Sequence, residues 1–177
     1  MTDHASAIRA AGESLRNICV LNNAPSADCY YRDGLSGLPE MGIVARQLWD
    51  RAPFSYLGLL SDVLGRATLE PAAAGGYGLV WTTISCADRA RHGLSLDAVE
   101  PVIDVVRRTD EADVAVVLKQ SDDGLWQVSA RSRGAVDVGR ACAALGGGGH
   151  RSAAGFTAPG GPAEALAALR PLLAEDS

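Results

Sequence analysis

The sequence predicts an α/β sandwich, and three observations point to it. From residue 41 onward, apolar residues at helical spacing alternate with short β-branched and aromatic runs. Residues 114–118 (Val-Ala-Val-Val-Leu) form an unbroken apolar run, as a buried strand requires, whereas residues 125–131 alternate strictly with period two. Between those runs, Asp122-Asp123-Gly124 is a turn signal.

Composition sets the outer limits. The 177 residues suffice for one domain, or one domain with an appendage. With 47% hydrophobic and 21% charged residues, the balance is that of a soluble globular protein rather than a disordered one. No apolar run exceeds about five residues, far short of a membrane span, and the N-terminus lacks the pattern of a secretory signal. A formal charge of −5 excludes a broadly basic protein that coats nucleic acid. Cys19, Cys29, Cys86 and Cys142 are scattered, with no metal-type pair, and read as reduced thiols of a cytoplasmic protein. The basic residues are fifteen arginines and one lysine, Lys119.

The elements follow in order. Residues 1–40 show no sustained period, so a short helix over 7–18 followed by loop is expected. Ile43, Val44, Gln47 and Leu48, then Leu57, Leu60, Val63 and Leu64, mark two helices meeting at Pro53, which suits the first helical position. The small-residue run 72–76 reads as a hinge and residues 79–84 as a strand. Leu96, Val99, Ile103 and Val106 mark a helix whose start Pro101 places near Glu100. His92 is expected at a helix end on the surface. In strand 125–131, Trp126, Val128 and Ala130 face one way, and Gln127, Ser129 and Arg131 the other. Asp137 is a good N-cap for a helix carrying Val138, Ala141, Cys142 and Leu145. Phe156 and Thr157 then make a short strand, and Leu166, Leu169, Leu172 and Leu173 stripe a closing helix over 162–173.

Chemistry concentrates in residues 131–151. Four arginines against one acid (Asp137) give this stretch a net charge of +3 inside an acidic chain. Within it lies Gly146-Gly147-Gly148-Gly149-His150. Glycine runs cost about 0.5–1 kcal/mol per residue relative to alanine in regular structure. They suit a backbone that takes positive φ or approaches a ligand closely. Such a loop can present N–H groups as an anion nest, with the histidine as a further donor and Arg131 as a bidentate clamp. The same run also fits a plain helix cap. It is not a Walker loop, because no Gly-Lys-Ser/Thr follows.

The string Gly147-Gly148-Gly149-His150-Arg151-Ser152-Ala153-Ala154-Gly155-Phe156 closely resembles the GGGH…AAGF signature of the DHH-associated C-terminal domain. Val128-Ser129-Ala130-Arg131-Ser132 and Val136-Asp137-Val138 resemble its companion motifs, and residues 41–66 its inter-domain segment. The domain occurs in DHH-superfamily phosphoesterases of the oligoribonuclease (nanoRNase) and phosphoadenosine-phosphate phosphatase type, in single-strand DNA exonucleases, and in alanyl-tRNA synthetase. The spacing is most similar to the nanoRNase branch.

The resemblance implies a mixed β-sheet flanked by helices at 71–177, preceded by a helical linker at 41–70 and an N-terminal remnant at 1–40. It implies that His150 and the backbone of Gly147, Gly148 and Gly149 hold a substrate phosphate, with Arg131 and Ser132 on another phosphate or the sugar–base end. Arg133 and Arg151 are secondary candidates. It further implies short 5′-phosphorylated oligonucleotides, nucleotide bisphosphates or linear dinucleotides as partners, and manganese as the family's cofactor. That two-metal centre belongs to a separate domain with an Asp-His-His triplet. This sequence has only His4, His92 and His150 and no such triplet, so no manganese bound by this chain and no catalytic residue are expected. The expected function is the substrate-binding portion of such a phosphoesterase, with the catalytic domain truncated; the alternative is a non-enzymatic module that binds nucleotides or short RNA. The helices over 41–65 would then leave an apolar patch for a catalytic domain or a homodimer partner.

Overall fold

The computed structural model describes residues 52–174. The expected helices at 7–18 and 43–48, together with Cys19 and Cys29, lie outside those residues. The described residues form a six-stranded mixed sheet with helices on both faces, as the sequence predicts.

Helix α1 (Phe54–Leu64) opens the described chain, with Pro53 at its N-cap rather than its first helical position. The short strand β1 (Thr68–Glu70) follows, then a single helical turn over Ala74–Gly76. The run 72–76, expected as a hinge, contains this turn; Ala74 is buried in it, and β1 before it pairs with β2 after it. Strand β2 (Leu79–Ile84) has the expected limits. Helix α2 (Cys86–His92) ends at His92, as expected of that residue. Its sequence, CADRARH, lacks an apolar stripe, and a capping box secures it: the Ser85 side chain accepts from the Asp88 N–H while Asp88 accepts from the Ser85 N–H. The helix expected to start near Glu100 is α3 (Val102–Val106), with Pro101 at its N-cap, and a separate turn over Asp97–Val99 precedes it.

Strands β3 (Val114–Gln120) and β4 (Trp126–Ser132) form a hairpin whose turn uses Gly124 at φ +87°. Helix α4 (Val138–Ala144) is capped by Asp137, whose side chain accepts from the Arg140 N–H. Strands β5 (Gly148–His150) and β6 (Ala153–Ala158) form a second hairpin, and α5 (Pro162–Ala174) closes the fold. The sheet order is β1-β2-β3-β4-β6-β5, antiparallel except for β2 and β3, which α2 and α3 connect in parallel.

Two cores explain the contrast between β3 and β4. On one face, Leu79, Val116, Leu118, Val128 and Phe156 pack against α4 and α5 through Val138, Ala141, Leu166, Leu169 and Leu173. On the other, Val80, Ile84, Ala115 and Val117 pack against α1 and α3 through Leu59, Val63, Val102, Ile103 and Val106. Strand β3 belongs to both cores, which makes its sequence continuously apolar. Strand β4 contributes only Val128 and Ala130 to the first core, so Gln127, Ser129 and Arg131 stay partly exposed on the other face. On its outer side α1 exposes Phe54 and Leu57. No helix among the described residues is long and apolar enough to cross a membrane.

A charged network joins α1, β2 and α2. Asp88 Oδ2 accepts from Arg66 Nη2 at 2.5 Å, the Ser85 N–H at 2.8 Å and the Ser85 hydroxyl at 2.7 Å. Burial opposes the carboxylate, but these hydrogen bonds win and hold Asp88 below the ordinary carboxylate range. Because its folded pKa is depressed, Asp88 stabilises the fold above that range, and this contribution disappears as pH falls through it. Asp88→Ala is expected to cost about 2–3 kcal/mol at neutral pH, the loss of hydrogen bonds to a buried charge, and less at pH 3. Denaturant unfolding at both pH values checks this, and a cost independent of pH would contradict it.

His92, the last residue of α2, is partly buried rather than on the surface. Its Nε2 lies 2.9 Å from Asp62 Oδ2, and its ring occupies the space beside Gly58 that a side chain would need. Gly58 thus lets α1 and α2 approach.

Candidate functional site

The strand registers build the site. Across β4, β6 and β5, Arg131 pairs with Ala153 and Ala153 with His150. Directly opposed residues on neighbouring strands point to the same face, so Arg131 and His150 flank a floor one methyl group high. The next row is Ser129, Gly155 and Gly148, and the one beyond it joins Lys119, Gln127 and Thr157. These three rows lie on the face that α1 and α3 leave uncovered beyond β3. A shallow cleft of about 470 Å³ occupies this face, bordered by Glu100, Lys119, Gln127, Ser129, Gly147 and Thr157. Arg131 and His150 stand in the row adjoining it.

Each candidate residue has a definite place. The Arg131 Nη1 donates to the Ala130 carbonyl at 3.0 Å, and its buried Nε has no hydrogen-bond partner. Burial lowers its pKa, with Asp104 opposing that shift from a distance. Among the described residues no carboxylate forms an ion pair with it, leaving guanidinium donors for a ligand. His150 is exposed on β5.

The glycine run is not a continuous loop. Gly146, at φ +80°, and Gly147 terminate α4 by donating to the Ala143 and Cys142 carbonyls at 3.1 and 2.9 Å, and Gly148 and Gly149 are already strand. The helix-cap reading holds for Gly146 and Gly147, and the run then continues into an edge strand. Close packing explains the glycines. A Cβ on Gly147 would lie 2.1 Å from the Gly155 carbonyl oxygen, and one on Gly149 2.5 Å from that of Ala153. Gly148 has open space instead.

Ser132 is not brought to this face. Adjacent strand residues point to opposite sides of a sheet, and the buried Ser132 hydroxyl donates to Asp113 Oδ2 at 2.8 Å and accepts from the Gly134 N–H at 2.9 Å. Asp113 also accepts from the N–H groups of Ala135 and Val136, so Ser132 shapes the turn that leads into α4. Arg133 donates to the Thr109 carbonyl and approaches Asp110, while Arg151 lies 3.8 Å from Asp137. Both arginines are exposed and belong to loops beside the face.

Two residues of the cleft escaped the sequence reading. Lys119, almost wholly buried in β3, donates through Nζ to Glu100 Oε1 at the head of α3. The only signal was a lone lysine closing an apolar strand. Cys142 is buried, and desolvation pushes its thiol up to about 11, which makes it inert packing. Cys86 is also a free thiol, partly buried. Among the described residues no three His, Cys, Asp or Glu side chains converge, so these residues do not fit a two-manganese centre. His4 lies outside them.

The fold and this face define a mixed-sheet α/β domain that presents basic side chains across a glycine hairpin. Residues 79–175 match the DHHA1 domain model, more than half of the chain, and the protein belongs to that family. It carries the C-terminal domain associated with DHH-superfamily phosphoesterases. Among solved structures it is similar to an exopolyphosphatase-related protein from Bacteroides fragilis, with a TM-score of 0.70, 19% identity, and coverage of 85% of this chain and 44% of that one. It is also similar to a pGpG-specific phosphodiesterase from Vibrio cholerae, with a TM-score of 0.51, 11% identity, and coverage of 82% and 46%. The chain thus spans less than half the length of either protein.

Proposed function

We propose that the open face of β4, β6 and β5 binds short 5′-phosphorylated oligonucleotides, nucleotide bisphosphates or linear dinucleotides, as the substrate-binding portion of a nanoRNase-like or phosphoadenosine-phosphate-phosphatase-like phosphoesterase. The row Arg131–Ala153–His150 carries this reading. It places two basic side chains on either side of a small residue, and Arg131 has no carboxylate partner among the described residues. A planar guanidinium binds phosphate with two parallel hydrogen bonds, and His150 adds a donor from the opposite strand. The pGpG specificity in the name of the Vibrio cholerae neighbour is compatible with a linear dinucleotide ligand.

Hydrolysis in this family uses a two-manganese centre on another domain, and the described residues offer no donor set for one. The contribution of this chain is to grip and orient the phosphate end. The alternative is a module that captures nucleotides or short RNA without hydrolysing them. Incubation with a 5′-phosphorylated diadenylate and manganese tests what both readings share, binding by this chain without hydrolysis. Binding without turnover is expected of the purified chain, and turnover abolished by chelation would place a catalytic centre within it.

Arg131→Ala and His150→Ala are each expected to weaken binding of the diadenylate by about 1–3 kcal/mol, the range for a charge-assisted hydrogen bond. Isothermal titration checks this, and affinities equal to wild type would refute the assignment.

A further inference from the structure

We infer that Glu100, held in place by Lys119, reads the ribose hydroxyls at the far end of the bound nucleotide and selects ribonucleotides over deoxyribonucleotides. The inference rests on the assignment of Arg131 and His150 to the phosphate end. From that row to the row of Lys119, Gln127 and Thr157 the open face runs four residues along β4, about 13 Å by strand rise. The intervening floor is Ser129 and bare glycine, so a ligand anchored at Arg131 can lie flat on it and reach Glu100.

The chemistry at that end differs from the chemistry at the phosphate end. The Lys119 ammonium is buried and engaged by Glu100 Oε1, so it does not stand open for a phosphate. The Glu100 side chain is half exposed at the cleft edge. Its carboxylate, fixed on one oxygen, keeps lone pairs for two donors, and a ribose presents two adjacent hydroxyls. Thr157 and Gln127 stand in the same cleft with a hydroxyl and an amide. Among the described residues Phe156 is the only aromatic residue bordering the cleft, and its ring is buried with the opposite core. Carboxylate recognition of a ribose hydroxyl is a general device, and the 2′-hydroxyl distinguishes RNA from DNA.

The test measures binding of a 5′-phosphorylated diadenylate and of its counterpart lacking the 2′-hydroxyl on the 3′-terminal residue. Wild type is expected to prefer the ribo form about tenfold, as one hydrogen bond to a charged group implies. Glu100→Gln keeps an oxygen for Lys119 but removes the charge, and its preference is expected to fall to about twofold or less. Gln127→Leu, in the same row, should retain most of it. A wild-type ratio near one, or a ratio unchanged in Glu100→Gln, overturns the inference even while Arg131→Ala still weakens both ligands. Failure of both dinucleotides to bind wild type overturns the phosphate assignment and this inference together.

Discussion

Gly147→Ala is expected to lower the stability of the domain by about 3 kcal/mol, the upper range for overpacking a close-packed site. The added methyl would lie 2.1 Å from the Gly155 carbonyl oxygen and 2.5 Å from the Phe156 Cβ. Neither is the far end of a flexible side chain. To make room, the exit from α4 must move away from β6, and Phe156 must shift within the core beneath α4 and α5. Gly148→Ala is the matched control, since a Cβ there meets nothing within 4 Å. Denaturant unfolding of the two variants checks the contrast. Equal midpoints would mean that the hairpin is not packed as described.

Gly148→Val is expected to do the reverse. Valine suits a strand, and the space above Gly148 is open, so stability should stay within about 1 kcal/mol of wild type. Gly148 shares its row with Gly155 and Ser129, between the proposed phosphate end and the proposed ribose end. A branched side chain there raises the floor that a nucleotide must lie on. Affinity for the diadenylate should drop at least about a hundredfold, or 2.7 kcal/mol. A stable variant that binds like wild type would show that the ligand does not cross this row. The two expected results together would separate roles that the sequence presents as one run, Gly147 in the fold and Gly148 on the proposed ligand face.

The sequence reading succeeded where local pattern and tertiary role agree. Strand β2, the buried β3, the alternating β4 and the Asp137 cap of α4 were all readable, because burial on one face or two sets the apolar period directly. Of helix α2 only the end at His92 was readable, because CADRARH shows no apolar stripe, although Ser85 and Asp88 carry the capping signal. Strand β5 could not be read from Gly-Gly-His, which has neither period nor strand propensity, and pairing with β6 alone makes it a strand.

Within the site, Arg131 was placed correctly on the polar side of β4 by the period of two. The same rule assigns Ser132 to the opposite side, where it bonds Asp113. The Lys119–Glu100 pair was beyond reach of local pattern, because it depends on the approach of α3 to β3.

The central claim is that a nucleotide lies across β4, β6 and β5. Its most direct test is amide chemical-shift mapping of the isotope-labelled chain titrated with 5′-phosphorylated diadenylate. The account predicts saturable shifts at Ser129, Arg131, Gly147 to His150 and Gly155, with the outer face of α1 unchanged. Saturable shifts confined to α1 and α2, or none at millimolar ligand, would contradict it.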